Sequence, residues 1–81
     1  MIIDIKPFLE KKEKIERCKD LIERMVAMPD YCYPSSVLNP DDIRNTMVES
    51  MDEINFSNAD EWLREIEIIY REKLAILKYF S

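Results

Sequence analysis

The chain has 81 residues, a formal net charge of −5, and neither histidine nor glycine. A chain of this length forms one domain, because two separate cores of that size would exclude too little water. With 47% hydrophobic and 36% charged residues, it is too apolar for a disordered tail and too charged for a membrane protein. We therefore expect a single globular domain over residues 1–81 that does not enter membranes.

The first predicted helix covers residues 6–28. Pro7 suits the first helical turn, where its missing N–H has no partner to lose, and Asp4 is placed to cap the helix before it. Apolar side chains then recur at spacings of three, four and seven residues, at Phe8, Ile15, Cys18, Ile22 and Met25. Pro29 disfavours the helical conformation at the residue before it, so the amphipathic helix should end there.

The connection after this helix contains Tyr31 and Tyr33, which we expect to lie over one end of the fold, while the pattern assigns no role to the segment around Cys32. Cys18 and Cys32 are too few for a disulfide framework, and Cys18 is best interpreted as a small core residue. The start Met1-Ile-Ile-Asp lacks the basic residues and long apolar run of a secretory signal. These observations favour a cytoplasmic location.

The second predicted helix covers residues 40–55. Asn39 can cap it, and Pro40 presets the first helical position. Two carboxylates, Asp41 and Asp42, then lie at the positive end of the helix dipole. Apolar residues follow at intervals of four, four and three, at Ile43, Met47, Met51 and Ile54. This spacing predicts one narrow apolar stripe that faces a core.

The third predicted helix covers residues 58–79. Its apolar stripe restarts about 100° out of register with that of the second helix, so a break is required between them. The restarted stripe consists of Ala59, Trp62, Ile66, Ile69 and Ile76. Ser57 and Asn58 each precede an acidic residue by three positions, which is the spacing of a capping box. The three helices predict an all-α fold, a small antiparallel three-helix bundle with long first and third helices and a shorter second helix.

The third helix carries more apolar side chains than one bundle can easily bury. A candidate interaction surface consists of Leu63, Tyr70, Leu74, Leu77 and Phe80. A second apolar face of this kind is typical of a homodimer or of a surface that binds the apolar groove of a partner protein. Alternatively, the third helix is central and is covered by the other two. The first functional hypothesis is a small acidic interaction or regulatory module that self-associates through its C-terminal helix.

Residues 41–67 carry nine acidic and two basic side chains. A candidate acidic partner surface consists of Asp52, Glu53, Glu61 and Glu65. Such a field attracts a basic protein surface, whereas direct binding to nucleic acid depends on lysines and arginines. The second hypothesis is therefore an acidic inhibitor, of a type that phages or mobile elements encode, that occupies the nucleic-acid site of a target enzyme. The simpler alternative is a solvated helix face.

No catalytic, cofactor-binding or metal site is expected. Ser-His and Cys-His pairs need histidine, zinc sites need more ligands than two distant cysteines, and phosphate-binding loops need glycine. The third hypothesis is a small dimeric helical enzyme with an anion pocket built from arginines and lysines. Its candidate residues are Arg17, Arg24 and Arg44, although surface salt bridges are the simpler interpretation of Arg17 and Arg24.

Overall fold

The computed structural model describes residues 5–35 and 37–81. Its elements are the helices α1 (Lys6–Val26), α2 (Pro40–Ser50) and α3 (Ala59–Tyr79) and two 3₁₀ turns, Asp30–Cys32 and Met51–Glu53. The described residues form no strand, and the three helices pack against each other, which confirms the expected all-α class. The predicted cap at Asp4 lies outside the described residues.

Two helices end earlier than the apolar pattern predicted. α1 ends at Val26 rather than at residue 28, because the N–H of Met28 donates to the carbonyl of Met25, three residues back. This tighter turn precedes Pro29, whose ring disfavours a helical residue before it. The second predicted helix becomes α2 up to Ser50, followed by the 3₁₀ turn Met51–Glu53 instead of further α-helix. The Ser50 hydroxyl donates to the carbonyl of Met47 at 2.6 Å and competes with the regular backbone bonds there.

The start of α3 is organised by Asn55, not by the predicted capping boxes. The Asn55 Oδ1 atom accepts from the Ser57 N–H at 2.9 Å, the Ser57 hydroxyl at 2.6 Å and the Asn58 N–H at 3.2 Å. The Asn58 side chain accepts from the Asn55 N–H and donates to the carbonyl of Glu53, each at 2.8 Å. The predicted boxes at Ser57 and Asn58 are wrong, because these side chains hold the turn before the helix. The predicted cap at Asn39 is confirmed, since Asn39 accepts from the Asp42 N–H at 2.8 Å.

α1 supplies most of the main core. The buried side chains of this core are Cys18, Leu21, Ile22, Met25, Ile54 and Ile66. Cys18 is fully buried, as expected, and burial raises the pKa of its thiol. Phe8, expected on the same stripe, is instead 54% exposed and lies against Phe56 with ring centroids 5.0 Å apart. Phe8 lies about one helical turn before Lys11, which is bound by Asp60 in the first turn of α3. α3 therefore begins too late to cover Phe8.

α2 is held differently, because it has no buried side chain of its own. Met47 and Met51 are partly buried against the main core, and Ile43 is partly buried against a second cluster at Met28 and Tyr33. α2 therefore covers the other two helices only along one narrow edge.

Tyr33 anchors the connection between α1 and α2. Its ring is buried, and its hydroxyl donates to the carbonyl of Met25 in the last turn of α1. The ammonium of Lys73 and the guanidinium of Arg44 lie 4.0 Å and 4.8 Å from the ring centroid, within cation–π distance. Burial raises the pKa of the Tyr33 hydroxyl. Tyr31, by contrast, is 45% exposed.

Arg44 and Lys73 each make a second attachment to this connection. Arg44 donates to the carbonyl of Met28 at 2.7 Å and pairs with Asp30 at 2.7 Å. Lys73 donates to the carbonyl of Cys32 at 3.1 Å. The cluster of Tyr33, Arg44 and Lys73, here called the tyrosine clamp, therefore joins all three helices.

Replacing Tyr33 with phenylalanine should destabilise the protein by about 1 kcal/mol, because the buried hydroxyl bond to Met25 is lost while the ring stays in place. Tyr31→Phe, at the half-exposed neighbouring tyrosine, is the control and should change stability by less than about 0.5 kcal/mol. Urea unfolding of both variants measures the difference. Equal stabilities would contradict the tyrosine clamp.

Asp60, in the first turn of α3, gives a pH-dependent contact with α1. Its carboxylate binds Lys14 at 2.6 Å and Lys11 at 3.1 Å, and these bonds hold its pKa below the ordinary value of 3.8. A carboxylate with a lowered pKa stabilises the fold above its unfolded-state pKa, and the contribution is lost as the pH falls through its folded-state pKa.

Asp60→Asn should therefore lower stability at neutral pH, and the difference from the unmodified protein should shrink below the ordinary carboxyl pKa and disappear below the lowered folded-state pKa of Asp60. Asp52→Asn is the control, because Asp52 is exposed and makes no ion pair among the described residues. Urea unfolding across the pH range measures both. If the stability of Asp60→Asn stays below that of the unmodified protein by the same amount in acid, the charge of Asp60 is not the cause of the loss.

Candidate interaction surfaces

A groove of about 200 Å³ lies between α2 and α3. Apolar side chains from all three helices dominate its lining, namely Ile22, Met25, Ile43, Met47, Trp62, Ile66 and Ile69. Ile22 and Met25 are buried and form its floor, whereas Ile69 is 41% exposed at its rim. The groove exists because the narrow apolar edge of α2 does not cover the broader apolar face of α3. We call it the α2–α3 groove.

Two of the lining residues suit this groove to a variable ligand. The side chains of Met25 and Met47 are unbranched and polarisable, and such side chains adapt their shape to different apolar partners. Ser50 and Lys73 are the polar residues of the lining. Burial lowers the pKa of Lys73, and its ammonium is already bound by the carbonyl of Cys32.

An acidic depression adjoins the groove at Trp62. It has a volume of about 320 Å³ and is lined by Asn58, Glu61, Trp62 and Glu65. Trp62, the single tryptophan of the chain, lines both the groove and the depression. Two of the four predicted acidic partner residues, Glu61 and Glu65, thus lie next to apolar surface. Asp52 and Glu53 are exposed in the 3₁₀ turn Met51–Glu53 and do not line the depression.

The five residues predicted as an apolar interaction surface do not share one environment. Leu63 and Tyr70 are partly buried against the main core. Leu74 and Leu77 are partly buried against the cluster of Met28, Cys32 and Tyr33. Only Phe80 is exposed, at 63%.

Phe80 belongs to an exposed aromatic cluster at the end of α3. Its ring centroid lies 5.3 Å from that of Tyr31 and 5.0 Å from that of Tyr79, which is 83% exposed. We call Tyr31, Tyr79 and Phe80 the aromatic cluster. The sequence placed Phe80 on the interaction surface but not Tyr31, because the contact depends on how the connection returns towards α3.

The arginines proposed for an anion pocket all have acidic partners. Arg17 and Arg24 pair with Asp20 at 4.0 Å and 3.0 Å on the exposed side of α1, which confirms their interpretation as surface salt bridges. Arg44 pairs with Asp30 and with Asp41 at 2.9 Å, and its bond to Asp30 raises its pKa. The ion pairs of Arg17 and Arg24 lie on α1, whereas those of Arg44 lie on α2 and on the turn Asp30–Cys32.

Sequence reasoning missed the groove, although a signal for it was present. The second predicted stripe has one apolar residue per turn, whereas α3 is apolar on several sides, so a helix with the first pattern cannot cover a helix with the second. Ile69 was expected on the buried stripe and instead forms the rim of the groove.

The floor and rim of the groove should respond differently to truncation. Ile66→Ala, at a side chain that is 4% exposed, should cost about 2–5 kcal/mol. Ile69→Ala, at the rim, should cost less than about 1 kcal/mol, because much of its surface is already hydrated. Urea unfolding measures both, and equal large losses would mean that the groove is closed in solution.

Over residues 5–35 and 37–81, no group of three or more cysteine, aspartate or glutamate side chains is arranged to hold a metal ion. No helix in the described part of the chain is long and apolar enough to cross a membrane. Comparison with known protein families, characterised proteins and solved structures finds no match for this chain.

Proposed function

We propose that this chain is a small acidic protein-interaction or regulatory module that self-associates through the C-terminal end of α3. The observation that carries the proposal is the amount of apolar surface that the protein leaves exposed, in the α2–α3 groove and in the aromatic cluster. Exposed apolar patches of this kind on a small protein mark sites of association. The free thiols of Cys18 and Cys32 suit a reducing compartment such as the cytoplasm.

Self-association suits the small size of the main core. A domain of this length buries little more apolar surface than is needed to offset the conformational entropy of the chain. A second copy that covers Tyr31, Tyr79 and Phe80 would remove three large side chains from water. Aromatic residues are enriched at the centres of protein interfaces because each one buries a large area.

The proposed architecture is the antiparallel three-helix bundle expected from the sequence, with α2 opposite in direction to its neighbours. In support, Arg44 near the start of α2 binds Met28 just after α1, whereas Ile54 beyond the end of α2 lies in the core cluster with Cys18. The ion pairs of Asp60 link the start of α3 to the first half of α1.

The acidic-inhibitor hypothesis uses Glu61 and Glu65 as well, but it gives no role to the apolar groove beside them. Imitation of a nucleic acid needs spaced negative charges on a polar surface. The junction of carboxylates with apolar side chains at Trp62 favours a protein partner over a mimic of phosphate groups.

Light scattering over a wide range of protein concentrations tests the self-association. We expect the mass to rise from monomer towards dimer, and the double variant Tyr79→Ser/Phe80→Ser to raise the dimer dissociation constant about tenfold or more, which corresponds to about 1.4 kcal/mol. The control is Val37→Ser, which removes an 88% exposed apolar side chain outside the aromatic cluster. A monomer at every concentration, or a double variant that dimerises as well as the control, would overturn this proposal.

A further inference from the structure

We infer that the α2–α3 groove binds a basic amphipathic helix of a partner protein. The inference deepens the proposed function as an interaction module, but it does not depend on the self-association through the aromatic cluster. It rests on two features that meet at Trp62: an apolar groove and a pair of carboxylates.

The groove has the size of an anchor site for one large apolar side chain. Its volume of about 200 Å³ exceeds that of the roughly 150 Å³ cavity that admits benzene in an engineered protein. The buried Ile22 and Met25 form its floor, and Ile43 and Ile69 stand on opposite walls contributed by α2 and α3. A cleft between two helices is the usual receptor of an amphipathic helix, whose apolar residues at every third or fourth position enter it.

The carboxylates beside the groove select the charge of that helix. Glu61 and Glu65 are exposed, line one depression together, and form no ion pair within the part of the chain described here. Asp60, immediately before them, is by contrast neutralised by Lys11 and Lys14. Lysine or arginine residues that flank the apolar face of a bound helix would reach these two carboxylates and the ring of Trp62.

The charges around the groove disfavour other occupants. A nucleic acid or a small anion would meet Glu61 and Glu65 and be repelled. The cation that lines the groove, Lys73, is bound to the carbonyl of Cys32 and lies over Tyr33, so its charge is already partnered. A positively charged amphipathic helix is the partner whose apolar face matches the groove and whose basic residues match Glu61 and Glu65.

Trp62 gives a direct measurement, because it is the single tryptophan and lies at the junction. The probe is a synthetic helical peptide without tryptophan or tyrosine, with leucines on one face and lysines on its flanks. We expect it to change the Trp62 fluorescence in a saturable way and to bind at least about tenfold more tightly than the same peptide with glutamate in place of lysine.

Two variants separate the contributions of the groove and of the acidic depression. Glu61→Gln/Glu65→Gln should lower the affinity for the lysine peptide several-fold and make the binding less sensitive to salt. The control Glu16→Gln/Glu23→Gln removes the same charge from exposed positions that line neither surface, and it should bind as the unmodified protein does. Ile69→Ser, at the rim, should lower the affinity for every peptide that enters the groove.

Three other outcomes would each contradict a different part of the inference. If the glutamate peptide binds as tightly as the lysine peptide, the groove is a binding site but the partner is not basic. If neither peptide changes the fluorescence, the groove is not a helix-binding site. If Trp62 fluorescence changes on self-association alone and Tyr79→Ser/Phe80→Ser abolishes that change, a second copy occupies the groove and the inference fails while the proposed dimer stands.

Discussion

The burial of the Tyr33 ring against two cationic side chains is the constraint on which the arrangement of the helices depends. Arg44 comes from α2 and Lys73 from α3, while the Tyr33 hydroxyl bonds to the last turn of α1. When a tyrosine is buried, a cation near its ring and a hydrogen bond from its hydroxyl replace much of the interaction with water that it loses. One residue of a connecting segment therefore fixes the positions of three helices.

This constraint also explains why the α2–α3 groove is open. α2 is fixed at its start by Arg44 and beyond its end by Ile54, which is buried in the main core. Between these points it contributes no fully buried side chain. α2 is thus attached at both ends without covering the apolar face of α3, and the space between the two helices is lined by side chains that a fuller bundle would bury.

The two surfaces proposed for association lie on different parts of the molecule. The aromatic cluster lies at the C-terminal end of α3, where Phe80 meets Tyr31 from the distant connection. Glu61 and Glu65 lie near the start of the same helix, beside Trp62. The α2–α3 groove extends along α3 from Trp62 to Lys73, whereas the aromatic cluster begins at Tyr79, so the two surfaces share no residue of α3. The proposed dimer surface and the proposed helix-binding groove use different residues of α3, which is a requirement for a bivalent adaptor.

Local patterns in the sequence are sufficient to predict the number of helices and, to within one residue, where each helix begins. The periodicity of α1 identified Cys18, Ile22 and Met25 as core residues, and the Asn39-Pro40 pair identified the start of α2, because a cap and a helical period depend only on neighbouring residues. The start of α3 was placed within one residue, although the bonds of Asn55 and Asn58 that form it were not the expected ones.

Which apolar residues stay exposed depends on how the helices pack in three dimensions. Leu63 and Tyr70 were candidates for an outer surface and pack inward, whereas Ile69 was assigned to the core and forms the rim of the groove. Periodicity finds the apolar side of a helix but not how much of that side a neighbour covers, which depends on the width of the facing helix. The meeting of Tyr31 with Phe80, and of Tyr33 with Arg44 and Lys73, depends likewise on the path of the connection through space, because these residues are far apart in the chain.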